Sequence, residues 1–170
     1  MRLLFELKEE GLDPNGKVFA RHSARAIIIR NGKVAMVYSR KYDYYKFPGG
    51  GIEKGEDPVR AMIREAAEEA GLRVLSETIR PYGYVHRVNK SDHKDADIFL
   101  QDNFYYLCHA EADIGQDLDD YEAEEGFTPR WIEPETAIEV NRHYDHGKTN
   151  QTMLERDAQV LEMLITEGYL

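Results

Sequence analysis

Three isoleucines in a row, Ile27-Ile28-Ile29, set the tightest limit on how this chain can fold. Side chains along a strand point alternately to its two faces, so three consecutive bulky β-branched residues need apolar cover on both. The run lies in residues 25–37, where two apolar segments are joined by Asn31-Gly32, a dipeptide that tolerates the positive φ of a tight hairpin turn. A pair of central strands in a sheet covered by helices on both sides follows, an α/β (α+β) layered fold. At 170 residues the chain is expected to form a single domain spanning residues 1–170.

A second constraint lies in residues 47–71. Phe47-Pro48-Gly49-Gly50-Gly51 reads as a loop, since three successive glycines hold a regular element only at an entropic cost. Asp57-Pro58 then supplies an N-cap and a proline at the first helical position, and Gly71 a stop, which predicts a helix over 58–70. Val59, Met62, Ile63, Ala66 and Ala70 make its core-facing stripe. Glu65, Glu68 and Glu69 stand at relative offsets 0, 3 and 4, so at ~100° per residue their carboxylates share an arc of about 100°. Like charges at this spacing cost about 0.2–0.5 kcal/mol per pair. Arg64 can pair with Glu68, but one guanidinium does not neutralise three carboxylates. A hard divalent cation, magnesium or manganese, would do so, and the glycine segment can bring a main-chain carbonyl to the same ion.

Elsewhere, residues 73–79, 82–88 and 104–108 read as strands and 87–97 as a polar loop. Residues 113–126 are acidic and unpatterned, which predicts a loop or flap. Residues 129–132 return to the sheet, 134–140 form a short helix, and Leu154, Ala158, Leu161 and Ile165 mark a terminal amphipathic helix from Asn150 onward.

Lys plus Arg number 22 against 32 Asp plus Glu, a formal charge of −10. That balance disfavours anionic membranes and extended nucleic acid as partners, so an anionic ligand needs local help. The single cysteine, Cys108, has no internal disulfide partner. The first residues lose their apolar run too early for a secretory signal, and no stretch approaches the ~18 apolar residues of a membrane span. A cytoplasmic protein is the expectation.

From Gly50 the chain runs Gly, five residues, Glu56, seven residues, Arg64-Glu65-Ala66, one residue, Glu68-Glu69, one residue, Gly71-Leu72. These 23 contiguous residues resemble the complete Nudix box, with no departure from its pattern. The hairpin before it and Trp131 after it are similar to the family's usual surroundings. The resemblance implies a mixed β-sheet sandwiched between helices and magnesium-dependent hydrolysis of a diphosphate bond in nucleoside diphosphates linked to another moiety. It further implies Glu65, Glu68 and Glu69 as metal-binding carboxylates and Gly50 as the residue offering its carbonyl. Arg64 and Glu56 resemble the pair that positions them, and Gly71 belongs to the same structural box. In the family a glutamate from a later loop often reaches the metal as ligand or base. Here Glu122, Glu124 and Glu125 occupy that position, with Glu125 preferred ahead of Glu124 for the catalytic role.

Other residues carry weaker signals. Tyr42, Tyr44, Tyr45 and Phe47 can stack on a nucleobase, and Arg21, His22, Arg25, Arg40 or Lys41 can meet phosphate; of these Arg25, Tyr45 and Phe47 are the candidate substrate contacts. Packing is the ordinary role of such rings, here and in the second group of Tyr82, Tyr84, His86 and Arg87. His143, Asp145, His146 and Lys148 read as a solvated loop rather than a metal site, and Cys108 as a packing residue. The proline that tends to follow the box by about 15 residues in the family's ADP-ribose hydrolases is replaced by the Arg87-Val88 region, and Tyr84 comes too early for the tyrosine of dinucleoside polyphosphate hydrolases. A small nucleotide substrate, such as a nucleoside triphosphate or a modified one, is expected. The competing readings are an RNA 5′-end pyrophosphohydrolase and a non-catalytic nucleotide sensor with this fold.

Overall fold

The computed structural model describes residues 1–113, 115–147 and 149–170. In chain order the strands are β1 (Leu3–Lys8), β2 (Val18–Ala20), β3 (Ser23–Arg30), β4 (Lys33–Ser39), β5 (Tyr44–Lys46) and β6 (Gly49–Gly51), followed by β7 (Leu72–Val74), β8 (Arg80–Lys90), β9 (Ile98–Cys108), β10 (Ala110–Asp113) and β11 (Phe127–Ile132). The helices are α1 (Pro58–Ala70), α2 (Asp120–Glu125), α3 (Pro134–His143) and α4 (Gln151–Thr166). The main sheet runs β1-β8-β9-β3-β4-β11, with β2, β5 and β6 paired to β9, β4 and β3. It is mixed: β3 lies parallel to β9 and antiparallel to β4.

The isoleucine run behaves as its chemistry demands. Ala24, Ala26 and Ile28 pack with Ala61, Met62 and Ala66 of α1 on one face of β3, while Ile27 packs with Val160, Leu161 and Leu164 of α4 on the other. The hairpin turns through Asn31 and Gly32 at φ 53° and 74°, the left-handed pair its sequence favours. Asp57 caps α1 by accepting from the amides of Val59 and Arg60, and Gly71 ends it at φ 62°.

Several expected boundaries move. The segment expected as a strand over 73–79 keeps only β7 before a single 3-10 turn at Ser76–Thr78, where the Thr78 hydroxyl donates to the Leu75 carbonyl and accepts from the His109 amide. The polar loop expected from residue 87 starts after Lys90, because β8 stays paired with β9 through Arg87↔Gln101, Val88↔Leu100, Asn89↔Phe99 and Lys90↔Ile98. The acidic 113–126 segment contains the helix α2; Ile114 within it lies outside the described residues. The glycine run is not a loop at Gly49–Gly51, which form β6 against Ser23–Arg25 of β3.

Candidate active site

The site grows from β6 and α1. At Gly49, φ is 145° and a Cβ would meet the Ala24 carbonyl oxygen at 2.2 Å, so only glycine lets the two backbones approach. A Cβ on Gly50 would collide with the Glu65 carboxylate at 2.2 Å. The Glu65 side chain therefore lies directly on the glycine backbone, the close approach the box spacing implies.

The three box glutamates part company at the boundary between core and solvent. Glu69 is 1% exposed, Glu65 is mostly buried, and the Glu68 side chain is 39% exposed. On a 100° wheel Glu68 and Glu69 lie on opposite sides of Glu65, and the inward side is that of Glu69. Arg64 lies over the outer part of the group. Its Nε and Nη2 donate to both oxygens of Glu56 at 3.0 Å, its Nη1 to Glu65 at 2.7 Å and Glu68 at 3.0 Å, and its Nη2 also to the Gly51 carbonyl at 3.2 Å. The forked pair with Arg64 holds the Glu56 carboxyl below its ordinary range.

On the inner side, Glu69 accepts from the Gly49 amide at 2.9 Å and from the Lys46 ammonium, which also lies 4.4 Å from the centroid of the Phe127 ring. Carboxylate oxygens of Glu65, Glu69 and Glu122 all lie within 4.8 Å of one another. Burial raises the affinity of Glu65 and Glu122 for protons, and Glu122 is raised further by neighbouring Glu69. Such a set, all carboxylate oxygen, partly dehydrated and short of positive charge, suits a hard divalent ion.

Glu122 is fixed by a capping box on α2: it accepts from the Asp119 amide at 2.9 Å and from the Tyr121 hydroxyl at 2.9 Å. The Asp119-x-x-Glu122 spacing is a capping-box pattern, a local signal of a helix start that the expectation of a loop over 113–126 overlooked. Glu125 lies on the wall of the adjoining cavity, where its Oε2 accepts from the hydroxyls of Ser39 at 3.2 Å and Tyr44 at 2.9 Å. Glu124 points away and pairs with Lys41 at the surface.

The cavity has a volume of about 500 Å³, and Gly49–Gly51, Arg21, Arg25 and Lys46 are among its lining residues, with the rings of Phe19, Tyr42, Tyr44 and Phe99. Of the three expected substrate contacts, Arg25 lines it, anchored through Nη1 to the carbonyls of Phe47 and Gly49. Phe47 does not: it is fully buried, edge-on to Tyr105 at 5.5 Å. Tyr45 does not either, because alternation along β5 turns Tyr44 and Lys46 to the cavity and sends Tyr45 onto Tyr38. Lys46, lodged between two tyrosines and a phenylalanine, carried no motif that marked it.

Of the remaining candidates, His146 and Cys108 are interior residues. His146 is buried rather than solvated, with Nδ1 and Nε2 facing the carbonyls of Tyr42 and Val140 at 2.9 and 3.0 Å. His143 is exposed, and Lys148 lies outside the described residues. Cys108 is buried, which pushes its thiol up to about 12. Among the described residues no helix is long and apolar enough to cross a membrane.

A sequence model of the NUDIX domain matches residues 20–155. The chain belongs to the Nudix family. It is similar to an RNA pyrophosphohydrolase from Yersinia enterocolitica, 32% identical over 118 residues that cover 62% of this chain and 66% of that protein. A U8 snoRNA-decapping enzyme from Homalodisca vitripennis is 30% identical over 69 residues, 40% of this chain and 37% of that protein. The matched regions thus span less than two thirds of these relatives. Among solved structures, a Nudix hydrolase from Nitrosomonas europaea superposes with a TM-score of 0.57 at 18% identity, over 84% of this chain and 90% of that one. A MutT protein from Bacillus halodurans gives 0.52 at 20% identity, over 71% and 72%. At these identities the two structures speak for the fold.

Proposed function

We propose that the protein hydrolyses a diphosphate bond in a nucleoside diphosphate linked to another moiety, with a divalent ion, magnesium or manganese, as cofactor. The observation that carries this reading is the approach of Glu65, Glu69 and Glu122 to within 4.8 Å beside a cavity lined by cations and aromatic rings. These three carboxylates would hold the ion, with Glu68 at the outer edge and Gly50 against the Glu65 carboxylate. When bound, the ion neutralises phosphate oxygens and makes phosphorus more open to attack by water.

The chain's own groups do the rest. Arg25, Arg21 and Lys46 receive the phosphate charge that a protein of net charge −10 otherwise repels. Aromatic walls, chiefly Tyr42, Tyr44 and Phe19, take the nucleoside. Arg64 and Glu56 act as positioning residues by holding Glu65 and Glu68. Glu125 accepts the proton of the attacking water, while the bridging anhydride oxygen leaves phosphorus with the electron pair of the broken bond, on the departing phosphate.

The nature of the relatives adds a second reading, removal of diphosphate from RNA 5′ ends, since the Yersinia enterocolitica protein is named an RNA pyrophosphohydrolase. The net charge of −10 favours small nucleotides instead. A screen of nucleoside triphosphates, modified nucleotides, nucleotide sugars, dinucleoside polyphosphates and 5′-triphosphorylated oligonucleotides, each with magnesium, decides between them. Release of a nucleoside monophosphate, phosphate or diphosphate at turnover rates from any of these, abolished by EDTA, is the expected result. Nucleotide binding without release from all of them would favour a sensor.

A further inference from the structure

Three guanidiniums lie buried together beneath α4. Arg25 of β3, Arg87 of β8 and Arg156 of α4 are 6%, 7% and 1% exposed. They share one buried carboxylate, that of Asp157, which accepts from Arg156 Nε at 2.8 Å, from the Tyr105 hydroxyl at 2.8 Å and from the Phe47 amide at 3.3 Å. Three positive charges and one negative leave the group two charges short of balance. The shortage is visible in the side chains themselves: Arg25 Nε and Arg156 Nη2 are buried with no hydrogen-bond partner among the described residues. Burial, with repulsion from Arg156 and Arg25, brings Arg87 down to about 10. Buried guanidinium donors are costly to leave unpaired, so the arrangement calls for an anion.

Two openings reach this group. Arg25 lines the main cavity, and Arg87 lines a second cavity of about 210 Å³ that shares Phe19, Phe99 and Asn150 with the first. Arg87 lies over the ring of Phe99 at 5.2 Å, and Lys90 and His93 stand beside it against a single carboxylate, Asp92. The second cavity falls below the usual 300–1,000 Å³ of an independent ligand pocket, so it suits an extension of a ligand seated in the first.

We propose that the second cavity is a subsite for an additional phosphoryl group of the substrate, one attached beyond the sugar of the nucleotide whose diphosphate is cleaved, with Arg87 and Lys90 as its ligands. The inference rests on the nucleotide reading of the main cavity. Two sources share this chemistry: a terminal phosphate on the ribose, and the phosphodiester of a following nucleotide.

Binding by calorimetry with the four nucleoside 5′-monophosphates, the corresponding 3′,5′-bisphosphates and 5′-phosphorylated dinucleotides separates the possibilities without depending on turnover. The wild-type protein should bind at least one doubly phosphorylated probe tenfold or more tightly than its monophosphate. A gain with the bisphosphate assigns a terminal phosphate, and a gain confined to the dinucleotide assigns the phosphodiester. That gain should fall to less than threefold in Arg87→Gln. The exposed Lys90→Gln change should diminish it by at least threefold, and serves if Arg87→Gln does not fold. Monophosphates that bind with no gain from the second phosphate would overturn the subsite while leaving the nucleotide reading intact. Failure of every probe to bind would overturn both.

Discussion

Lys46 and Glu69 form a buried pair at the carboxylate cluster proposed to hold the ion. Both are nearly inaccessible, so removing the ammonium leaves an uncompensated carboxylate, a change that costs about 3–5 kcal/mol at buried pairs. Lys46→Met should therefore lower the melting temperature of metal-free protein, and magnesium should restore more of it than the same ion adds to wild type, since the ion takes over the neutralising role. Equal magnesium-induced shifts in the two proteins would show that Lys46 and the ion do not share Glu69. Glu56 tests a different bond. Its folded-state proton affinity is lowered by Arg64, so its contribution to stability is present above the ordinary glutamate range and is lost as pH falls through the lower folded value. Glu56→Gln should melt below wild type at pH 7, with the gap closing as the buffer is taken below the ordinary glutamate range. A gap independent of pH would assign the loss to packing instead.

At the level of elements, α1 and α2 carry the carboxylates and β6 lies directly against that of Glu65. Gly50→Ala sets a methyl group where the Glu65 carboxylate lies, so manganese affinity should fall by about tenfold or more, a loss of about 1.4 kcal/mol per factor of ten. Unchanged affinity would mean that Glu65 is free to move without consequence. On α2, Glu125→Gln should lower the maximal rate by about a hundredfold or more with a smaller effect on the Michaelis constant, while Glu124→Gln, out at the surface with Lys41, should stay near wild type. The α1 helix, the β3–β4 hairpin and the α4 stripe were legible in the sequence because caps, turn glycines and apolar spacing are local signals. β6 was not, because its stability comes from partner strand β3, which no glycine count reveals. Glu68 and Glu69 looked equivalent on the helix wheel, and only the packing of α1 against the sheet separates them. Phe47 and Tyr45 were misplaced for a related reason: an aromatic next to a binding loop has the same sequence whether it turns toward the cavity or the core.

Over the whole molecule, an acidic exterior surrounds a cavity whose cations are few and mostly buried. Under the proposed function, capture of a phosphorylated substrate would rely on Arg21, Arg25 and Lys46 together with the ion, against the field of the rest of the protein. The central claim is that Glu65, Glu69 and Glu122 jointly hold that ion. Its most direct measurement is a manganese titration followed by electron paramagnetic resonance, on wild type and on Glu65→Gln, Glu69→Gln and Glu122→Gln, with folding checked by circular dichroism. The account predicts saturable binding in wild type that weakens by tenfold or more in each folded variant. Wild-type affinity in all three would contradict it.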